Sequence, residues 1–214
     1  PVSGLSSLSD EITISFWCFG DPNQQPRNNY TLEGRDANGN RVVNVHLPWS
    51  NSEVYWDCGN AGTGNYDRIN ALANLNDFSG EWNHWAFTKN ATTGVMKIYL
   101  NGSAFVTGTG KTSNLSTIES FKIAGRGGDN YDGEYEGKID EFRVWSKELS
   151  SAEIMAYMNI PVGSSHLQYA DLLVAYNFDE VSGNDVLDYS PNANHAKMMG
   201  LPNRELWTGT ENHF

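Results

Sequence analysis

Residues 137–150 read GKIDEFRVWSKELS, and the first part of this stretch has the composition of a β-strand. Successive side chains of a strand point to opposite faces, so Asp140 shares a face with the apolar Phe142. The alternation therefore predicts that Asp140 faces inward. A buried carboxylate must be hydrogen-bonded, paired or metal-bound, because an isolated buried charge is too costly. The adjacent Glu141 is predicted to face away from the core, beside Arg143.

The rest of the chain contains many short segments with strand character, separated by turn residues. Asn-Gly pairs at 38–39 and 101–102 mark hairpin turns, and almost no helical period is present. This pattern predicts an all-β fold, a two-sheet antiparallel β-sandwich of the jelly-roll type. The strand segments are residues 11–19, 29–33, 41–47, 54–58, 82–89, 95–100, 103–107, 121–124, 137–145 and 171–179. Residues 61–70, rich in Gly and Asn, are expected to form a loop.

One short helix is well signalled, near residues 151–159. Ser150 is a good N-cap residue, and Glu153 follows three positions later to complete a capping box. Leu149 and Ile154 can pack together across the helix start as a hydrophobic staple. The helix should end before Pro161.

The chain of 214 residues is long enough for one substantial core, so we expect a single domain over residues 1–214. Residues 171–214 are expected to add a return strand and a tail, because about forty residues cannot bury a core of their own. The alternative is that they open a second repeat.

Charge and hydropathy exclude two classes of partner. A formal net charge of −12 provides no basic cluster for nucleic-acid phosphate. No apolar run approaches the about 20 residues of a membrane span, so we expect no membrane insertion. The alternation predicts that Cys18 and Cys58 face inward, as buried free thiols or as a disulfide between neighbouring strands.

Four motifs occur in a fixed order along the chain: TISFW, GEWNHWAFTKN, VMKIYLNG and GKIDEFRVWSKELSSAEI. Together they resemble the laminin-G-like or concanavalin A-like lectin/glucanase jelly roll of secreted bacterial proteins, over roughly residues 10–160. The resemblance implies an extracellular or cell-surface location. Residues 173–200 resemble the segment that usually begins such a domain, which implies a circular permutation or a cut through a tandem array.

The superfamily that this chain resembles contains binding modules, adhesion domains, glycosidases and lyases. Its glucanases carry Glu-x-Asp-x-Glu or Glu-x-Asp-x-x-Glu on one strand, because retaining hydrolysis needs two carboxyls about 5–5.5 Å apart. This chain has no such run, and its nearest candidates, residues 134–136 and 140–141, lack the spacing. HExxH, GxSxG and CxxC are also missing from the sequence. We therefore expect no enzymatic activity.

The resemblance also implies a structural Ca²⁺ ion, bound by an Asp in the strand at 137–145 together with oxygens from the N-terminal strand region. Carried over to this chain, these ligands are Asp140 with Asp10 or Asp179, and oxygen ligands are what Ca²⁺ requires. The alternative is that Asp140 accepts backbone hydrogen bonds or pairs with an Arg. The loop at 126–137 has a spacing that could also wrap Ca²⁺, but a solvated turn is favoured; its acidic and amide residues are Asp129, Asn130, Asp132 and Glu134.

Aromatic rings beside polar groups are typical of sugar-binding sites. They are concentrated at residues 46–57 (HLPWSNSEVYWD) and in the following segment. A pyranose could stack on this platform while Asp57 and Arg68 bond its hydroxyls; the predicted ligand-binding residues are His46, Trp49, Tyr55, Asp57 and Arg68. In the alternative interpretation, Trp49 covers the edge of the sandwich and Arg68 pairs with an acid.

These observations predict a non-catalytic, secreted or cell-surface module of a longer protein, with carbohydrate or another glycoconjugate as its partner. Two alternatives remain open. One is a polysaccharide-cleaving enzyme of the jelly-roll class, and the other is an adhesion or spacer domain whose partner is a protein.

Overall fold

The computed structural model describes residues 4–60, 62–126, 133–166, 168–180 and 182–199. In these residues the chain forms two large antiparallel sheets, so the predicted all-β sandwich is confirmed. Its strands are β1 (Glu11–Gly20), β2 (Leu32–Arg35), β3 (Arg41–His46), β4 (Glu53–Asn60), β5 (Asn65–Leu72), β6 (Trp82–Asn90), β7 (Val95–Leu100), β8 (Ser103–Gly108), β9 (Ser120–Ile123), β10 (Gly137–Trp145), β11 (Leu172–Tyr176), β12 (Asp185–Val186) and β13 (Ala196–Lys197). The α-helices are α1 (Leu75–Phe78) and α2 (Ser151–Tyr157). Short 3-10 turns cover Leu5–Ser7 and Tyr169–Asp171.

The strand order shows how the chain builds each layer. One sheet has six strands in the order β11-β10-β1-β6-β7-β8, and the other has five in the order β5-β4-β3-β2-β9. Strands β12 and β13 form a separate two-stranded pair. Strand β11 lies at the edge of the six-stranded sheet and pairs with β10, so the chain returns to this sheet after α2.

The main hydrophobic core lies between the two large sheets. Its centre is aromatic: the Phe16 ring stacks on Phe87 and on Phe142, each at 5.8 Å between centroids, and Trp56 contacts Phe87 at the same distance. Burying such a side chain contributes roughly 1.5–3 kcal/mol. These rings come from both sheets, so they hold the sandwich together.

A second, smaller hydrophobic cluster covers the opposite face of the six-stranded sheet. Helix α2 contributes Ile154, which packs with Trp145 of β10 and Leu172 of β11. The predicted capping box is confirmed, because the Ser150 hydroxyl accepts from the Glu153 N–H and the Glu153 carboxylate accepts from the Ser150 N–H. The helix starts where predicted and ends at Tyr157, two positions before the predicted end.

Strand β10 contains a β-bulge. Ser15 of β1 pairs with Arg143, but Trp17 pairs with Asp140, so two residues of β10 oppose Phe16. Glu141, one of the two, has a φ of +50°, in the left-handed region. An extra residue of this kind reverses the faces of all residues on one side of the bulge.

The bulge changes the position of Asp140. Residues directly opposite each other on antiparallel strands share a face, so Asp140 lies with Trp17 on the outer face, while Ile139 lies with Cys18 on the core side. The prediction that Asp140 faces inward is therefore wrong, because it assumed uninterrupted alternation. The alternative that Asp140 accepts backbone hydrogen bonds is confirmed, since its carboxylate accepts the Glu141 N–H at 2.7 Å.

The expected loop at residues 61–70 is also wrong. Residues from Asn65 onwards form β5, which pairs with β4 along its whole length. Its outer face is polar or aromatic apart from the exposed Leu72 and its other face is mixed, so the alternation that marks a half-buried strand is weak.

Both cysteines are buried and free, which confirms the interpretation as unpaired thiols. Cys18 lies in the six-stranded sheet and Cys58 in the five-stranded sheet, and both belong to the core. Burial raises the pKa of each thiol to about 12, so both stay protonated and unreactive at neutral pH. Among the described residues, no helix is both long enough and apolar enough to cross a membrane.

Candidate functional site

The outer face of the five-stranded sheet, turned away from the core, carries charged and aromatic side chains. One row crosses four strands through direct pairs, and it consists of Glu33, Asn44, Asp57 and Arg68. The next row consists of His46, Tyr55 and Asn70. We call this surface the arginine–tyrosine face, and define it by Tyr30, Arg41, Trp49, Tyr55, Tyr66 and Arg68.

A second bulge brings Arg41 to this face. Gly34 pairs with Val43, but the next residue, Arg35, pairs with Arg41, so Val42 is the extra residue of β3. Val42 packs in the core together with Val43. Arg41 consequently lies on the same face as Asn44, which simple alternation along β3 does not predict.

Asp57 is fully buried beneath this face and is bound by two guanidinium groups. Arg68 donates from Nε at 2.6 Å and from Nη2 at 2.8 Å, one bond to each carboxylate oxygen. Arg41 donates from Nη1 at 2.5 Å. A bidentate guanidinium–carboxylate pair fixes both partners in orientation, so Asp57 holds Arg41 and Arg68 in place.

Glu33, also fully buried, extends the same network. It accepts from Arg35 Nε at 2.8 Å and from Arg41 Nε at 3.2 Å. Burial lowers the pKa of the Arg41 guanidinium, but the Asp57 and Glu33 carboxylates outweigh this effect, and its pKa lies above the ordinary value. The result is an alternating line of charges in which each buried carboxylate has two cationic neighbours.

Tyrosine rings flank the two guanidinium groups. Arg68 lies over the Tyr55 ring at 4.9 Å and over the Tyr66 ring at 5.6 Å from the centroid. Arg41 lies over the Tyr66 ring at 5.2 Å. The Arg68 side chain is 39% exposed, and both rings are half-buried. The two tyrosine rings and the Arg68 guanidinium group are therefore adjacent to one another and accessible to solvent.

His46 lies under this surface and is 5% exposed. Its Nδ1 donates to the backbone oxygen of Asn29, and its ring stands edge-on to Trp49 at 4.3 Å and to Tyr30 at 5.0 Å. Burial lowers the pKa of His46 to about 4; the hydrogen bond to Asn29 opposes this shift and Arg41 adds to it. The imidazole is thus neutral at pH 7 and supports the Trp49 ring.

The structure brings all five predicted ligand-binding residues onto one face. Trp49 and Tyr55 are half-buried and Arg68 is exposed, so these three can contact a ligand. Asp57 and His46 are buried and hydrogen-bonded within the protein, so contact of these two side chains with a ligand stays a prediction. The alternative that Arg68 pairs with an acid is confirmed.

Sequence reasoning missed part of the arginine–tyrosine face. Tyr66 and Arg68 are two positions apart in the sequence. In a strand this spacing places two side chains on the same face, so it could have indicated that both belong to one strand. The position of Arg41 could not be predicted in this way, because the bulge at Val42 moves its side chain to the opposite face of the sheet from the one that alternation predicts. Tyr30 lies before β2 and forms an isolated bridge with Glu134, so alternation along a strand does not place it.

The three predicted calcium ligands do not come together. Asp10 immediately precedes β1, and seven residues of chain separate it from Trp17, the pairing partner of Asp140. At about 3.3 Å per residue this spacing is about 23 Å, so one ion cannot bind Asp10 and Asp140. Asp179 follows β11 at the same end of the sheet as Asp140.

In the part of the chain that the structure describes, no group of three or more His, Cys, Asp or Glu side chains could hold a metal ion. The Asp10 carboxylate already accepts from the Ser9 hydroxyl at 2.7 Å and the Thr92 hydroxyl at 3.3 Å. Of the two predicted pairs, Asp140 with Asp10 is therefore excluded by distance, and Asp140 with Asp179 stays a prediction. Three residues of the alternative loop, Asp129, Asn130 and Asp132, lie outside the described residues.

Two antiparallel sheets packed face to face place the chain in the class of β-sandwich proteins, which includes lectin domains. The family model of the Concanavalin A-like lectin/glucanases superfamily, of the laminin G type, matches residues 2–155. The chain belongs to this family. No curated protein matches the chain.

Solved structures share the fold at low sequence identity. A protein assigned as carbohydrate binding from Bacteroides ovatus has a TM-score of 0.65 at 18% identity, over 88% of this chain and 51% of that one. Domain 4 of AbnA, a GH43 extracellular arabinanase from Geobacillus stearothermophilus solved with arabinotriose, has a TM-score of 0.53 at 21% identity, over 72% of this chain and 68% of that one. The botulinum neurotoxin serotype D ligand binding domain, solved with N-acetylneuraminic acid, has a TM-score of 0.55 at 18% identity, over 70% of this chain and 37% of that one. This chain thus matches about half of the Bacteroides protein and just over a third of the toxin domain.

Proposed function

We propose that the protein is a non-catalytic module that binds carbohydrate or another glycoconjugate on its arginine–tyrosine face. We further propose that it acts outside the cell or at the cell surface, as part of a longer protein. The observation that carries the proposal is the exposed Arg68 guanidinium between the Tyr55 and Tyr66 rings, oriented from below by the buried Asp57.

The chemistry of this face suits a sugar. The apolar face of a pyranose stacks on an aromatic ring, and N–H donors bond its hydroxyl or carboxylate oxygens. Arg68 uses Nε and Nη2 for Asp57, and its Nη1 makes no hydrogen bond to any described residue. Because the ion pair fixes the guanidinium before binding, little side-chain freedom is lost when a ligand arrives.

The structural relatives support the same class of function. The AbnA domain was solved with arabinotriose and the toxin domain with N-acetylneuraminic acid, and the Bacteroides protein is assigned as carbohydrate binding. A guanidinium-rich face favours sugars that carry a carboxylate, because planar bidentate pairing with carboxylates is a property of Arg.

A glycan array followed by calorimetry on the best ligand tests the proposal. Trp49→Ala and Tyr66→Ala should each weaken binding about five- to tenfold, as expected when one stacking contact of about 1 kcal/mol is lost. Tyr189→Ala is the matched control, because Tyr189 is a 47% exposed aromatic residue outside the arginine–tyrosine face, and it should bind like the parent protein. Affinity that is unchanged in both test variants would contradict this site.

The absence of catalysis is part of the proposal. Of the described carboxylates on the arginine–tyrosine face, Glu33 and Asp57 are fully buried, and each is bound by two Arg side chains. A general acid and a nucleophile need access to the glycosidic bond, which these two groups lack. Release of reducing sugar from a polysaccharide panel would overturn this part and favour the glycosidase alternative. If no glycan on the array binds and a specific protein ligand is found, the adhesion alternative is favoured.

Structural Ca²⁺ stays a prediction, limited to the end of the six-stranded sheet where Asp140 and Asp179 lie. Asp10 is no longer among its candidate ligands. The Asp179 carboxylate accepts from Asn177 at 3.0 Å, so a protein partner already occupies one of its oxygens.

A further inference from the structure

A small cavity lies between the outer face of the six-stranded sheet and helix α2. Its free volume is about 10 Å³. A volume of that size is close to the minimum that one water molecule needs, so a larger occupant requires small shifts of the surrounding side chains. The side chains around it include Ser15, Arg143, Trp145, Ile154, Tyr157 and His166.

Three residues that line the cavity each have a buried side-chain nitrogen atom with no hydrogen-bond partner among the described residues. These atoms are Arg143 Nε, Trp145 Nε1 and His166 Nε2. Their residues are 2%, 2% and 5% exposed. Buried polar groups are nearly always hydrogen-bonded, because leaving them unpaired costs the full desolvation penalty. Three such groups beside one cavity call for an acceptor there, such as an ordered water molecule or a bound anion.

All three nitrogens are hydrogen-bond donors. The Nε of Arg143 and the Nε1 of Trp145 always carry a hydrogen. The backbone N–H of Gln168 donates to His166 Nδ1 at 3.2 Å, so this nitrogen is unprotonated and the hydrogen of the neutral ring lies on Nε2. Burial lowers the pKa of His166 to about 4; Arg143 adds to the shift and Glu153 opposes it.

Neighbouring contacts fix these donors in place. Arg143 donates from Nη1 to the Tyr157 backbone oxygen and from Nη2 to that of Ile160, both at 2.8 Å. The His166 ring packs against Tyr157 at 3.7 Å and against Trp145 at 5.6 Å between centroids. None of the three N–H groups can therefore turn away to find another acceptor without breaking packing or helix-terminal hydrogen bonds.

We propose that this cavity binds one small monovalent anion, a halide such as chloride. A halide ion can accept all three N–H bonds, whereas a water molecule accepts two and brings two O–H groups that need acceptors of their own. The bound anion would join β10, the end of α2 and the segment around His166, and so stabilise the α2 side of the sandwich.

The charges around the cavity set the expected affinity. Glu141 pairs with Arg143 at Nη2, so this guanidinium group already has one anionic partner. Glu153 also lines the cavity, but its oxygens accept from Ser150 and from the Gln168 side chain. With a formal net charge of −12 on the whole chain, long-range attraction of anions is absent. We expect millimolar affinity.

Thermal unfolding in sodium chloride and in sodium gluconate at equal ionic strength tests the proposal, because gluconate is too large for the cavity. At tenfold excess over Kd, chloride should raise Tm by about 3–5 °C above the gluconate value. A crystal grown in sodium bromide should show an anomalous peak within hydrogen-bonding distance of Arg143 Nε. Equal Tm in both salts with no bromide peak would overturn the proposal and leave a water molecule as the occupant.

A pair of Trp variants sharpens the test. Trp145→Phe removes one donor, keeps a ring in place and should reduce the chloride-dependent shift at least by half. Trp56→Phe is the matched control, because Trp56 is fully buried but its Nε1 already donates to the Thr88 oxygen at 3.1 Å. The Trp56→Phe variant should have a lower Tm than the parent protein but the same chloride-dependent increase in Tm. If Trp145→Phe does not fold, the presence or absence of the bromide peak in the parent protein decides whether the cavity binds an anion. The chloride-dependent Tm shift and the bromide peak are both independent of glycan binding.

Discussion

Replacing Asp57 by Asn removes the negative charge that lies between Arg41 and Arg68 and keeps the size of the side chain. The carboxylate is fully buried and accepts three guanidinium hydrogen bonds, at 2.5, 2.6 and 2.8 Å. An amide offers one acceptor oxygen, and its NH₂ group then faces a guanidinium N–H. The substitution therefore leaves donors unpaired beneath the surface.

The cost of the substitution can be estimated from the exposure of the two arginines. Removing one partner of a buried ion pair typically costs about 3–5 kcal/mol. Here Arg41 keeps Glu33 as a second partner, and the Arg68 side chain is 39% exposed and can turn towards water. Both effects reduce the penalty, so we expect a loss of about 3 kcal/mol in the free energy of unfolding.

Urea unfolding at pH 7 measures this loss. With an m value of about 2 kcal/mol/M, the midpoint should fall by about 1–2 M without a change in m. Glycan affinity should fall as well, because Arg68 is no longer fixed. Asp185→Asn is the control: this residue pairs with Lys197 on the surface, where both side chains are over 70% exposed, and its loss should leave the midpoint unchanged. A loss below about 1 kcal/mol for Asp57→Asn would refute the view that this ion pair orders the face.

Two further measurements address pH and calcium. The pKa of His46 is lowered to about 4, chiefly by burial, whereas an unfolded His titrates near 6.5. Between these values the unfolded chain binds the extra proton, so stability rises with pH, and acidification from 6.5 to 4 should cost up to about 3 kcal/mol through this residue. Urea midpoints across this range should slope less in His46→Gln, and equal slopes would exclude this source of pH dependence. For calcium, EGTA should lower Tm if an ion binds near Asp140 and Asp179, and an unchanged Tm would end that prediction.

The fold could be predicted from the sequence because most of its elements carry strong local signals. Strand β1 alternates core residues with outward ones over almost its whole length, and α2 begins with a complete capping box. The four motifs lie on central strands and on α2, where packing constrains residue type most. Strand β5 was missed, because an edge strand with a polar and aromatic outer face lacks a clear alternation of apolar residues.

The candidate site could be predicted only in part. The aromatic and charged residues near 46–57 identified the correct face, but burial is a tertiary property. Asp57 is covered because Arg41 reaches across it from the neighbouring strand, and Arg41 lies there only because of the bulge at Val42. The cavity beside α2 gave no signal either, since its donors come from β10 and from the segment after the helix.

The bulge in β10 affects how this protein should be compared with its relatives. A relative that lacks the extra residue must be aligned with a gap at position 141; otherwise residues 137–140 are matched to positions on the opposite side of the sheet. Metal ligands or catalytic acids transferred by an ungapped alignment would then be assigned to the wrong surface. The same bulge offers a route for protein engineering, because deleting one residue at this point should exchange the surfaces occupied by Ile139 and Asp140 without altering any other amino acid.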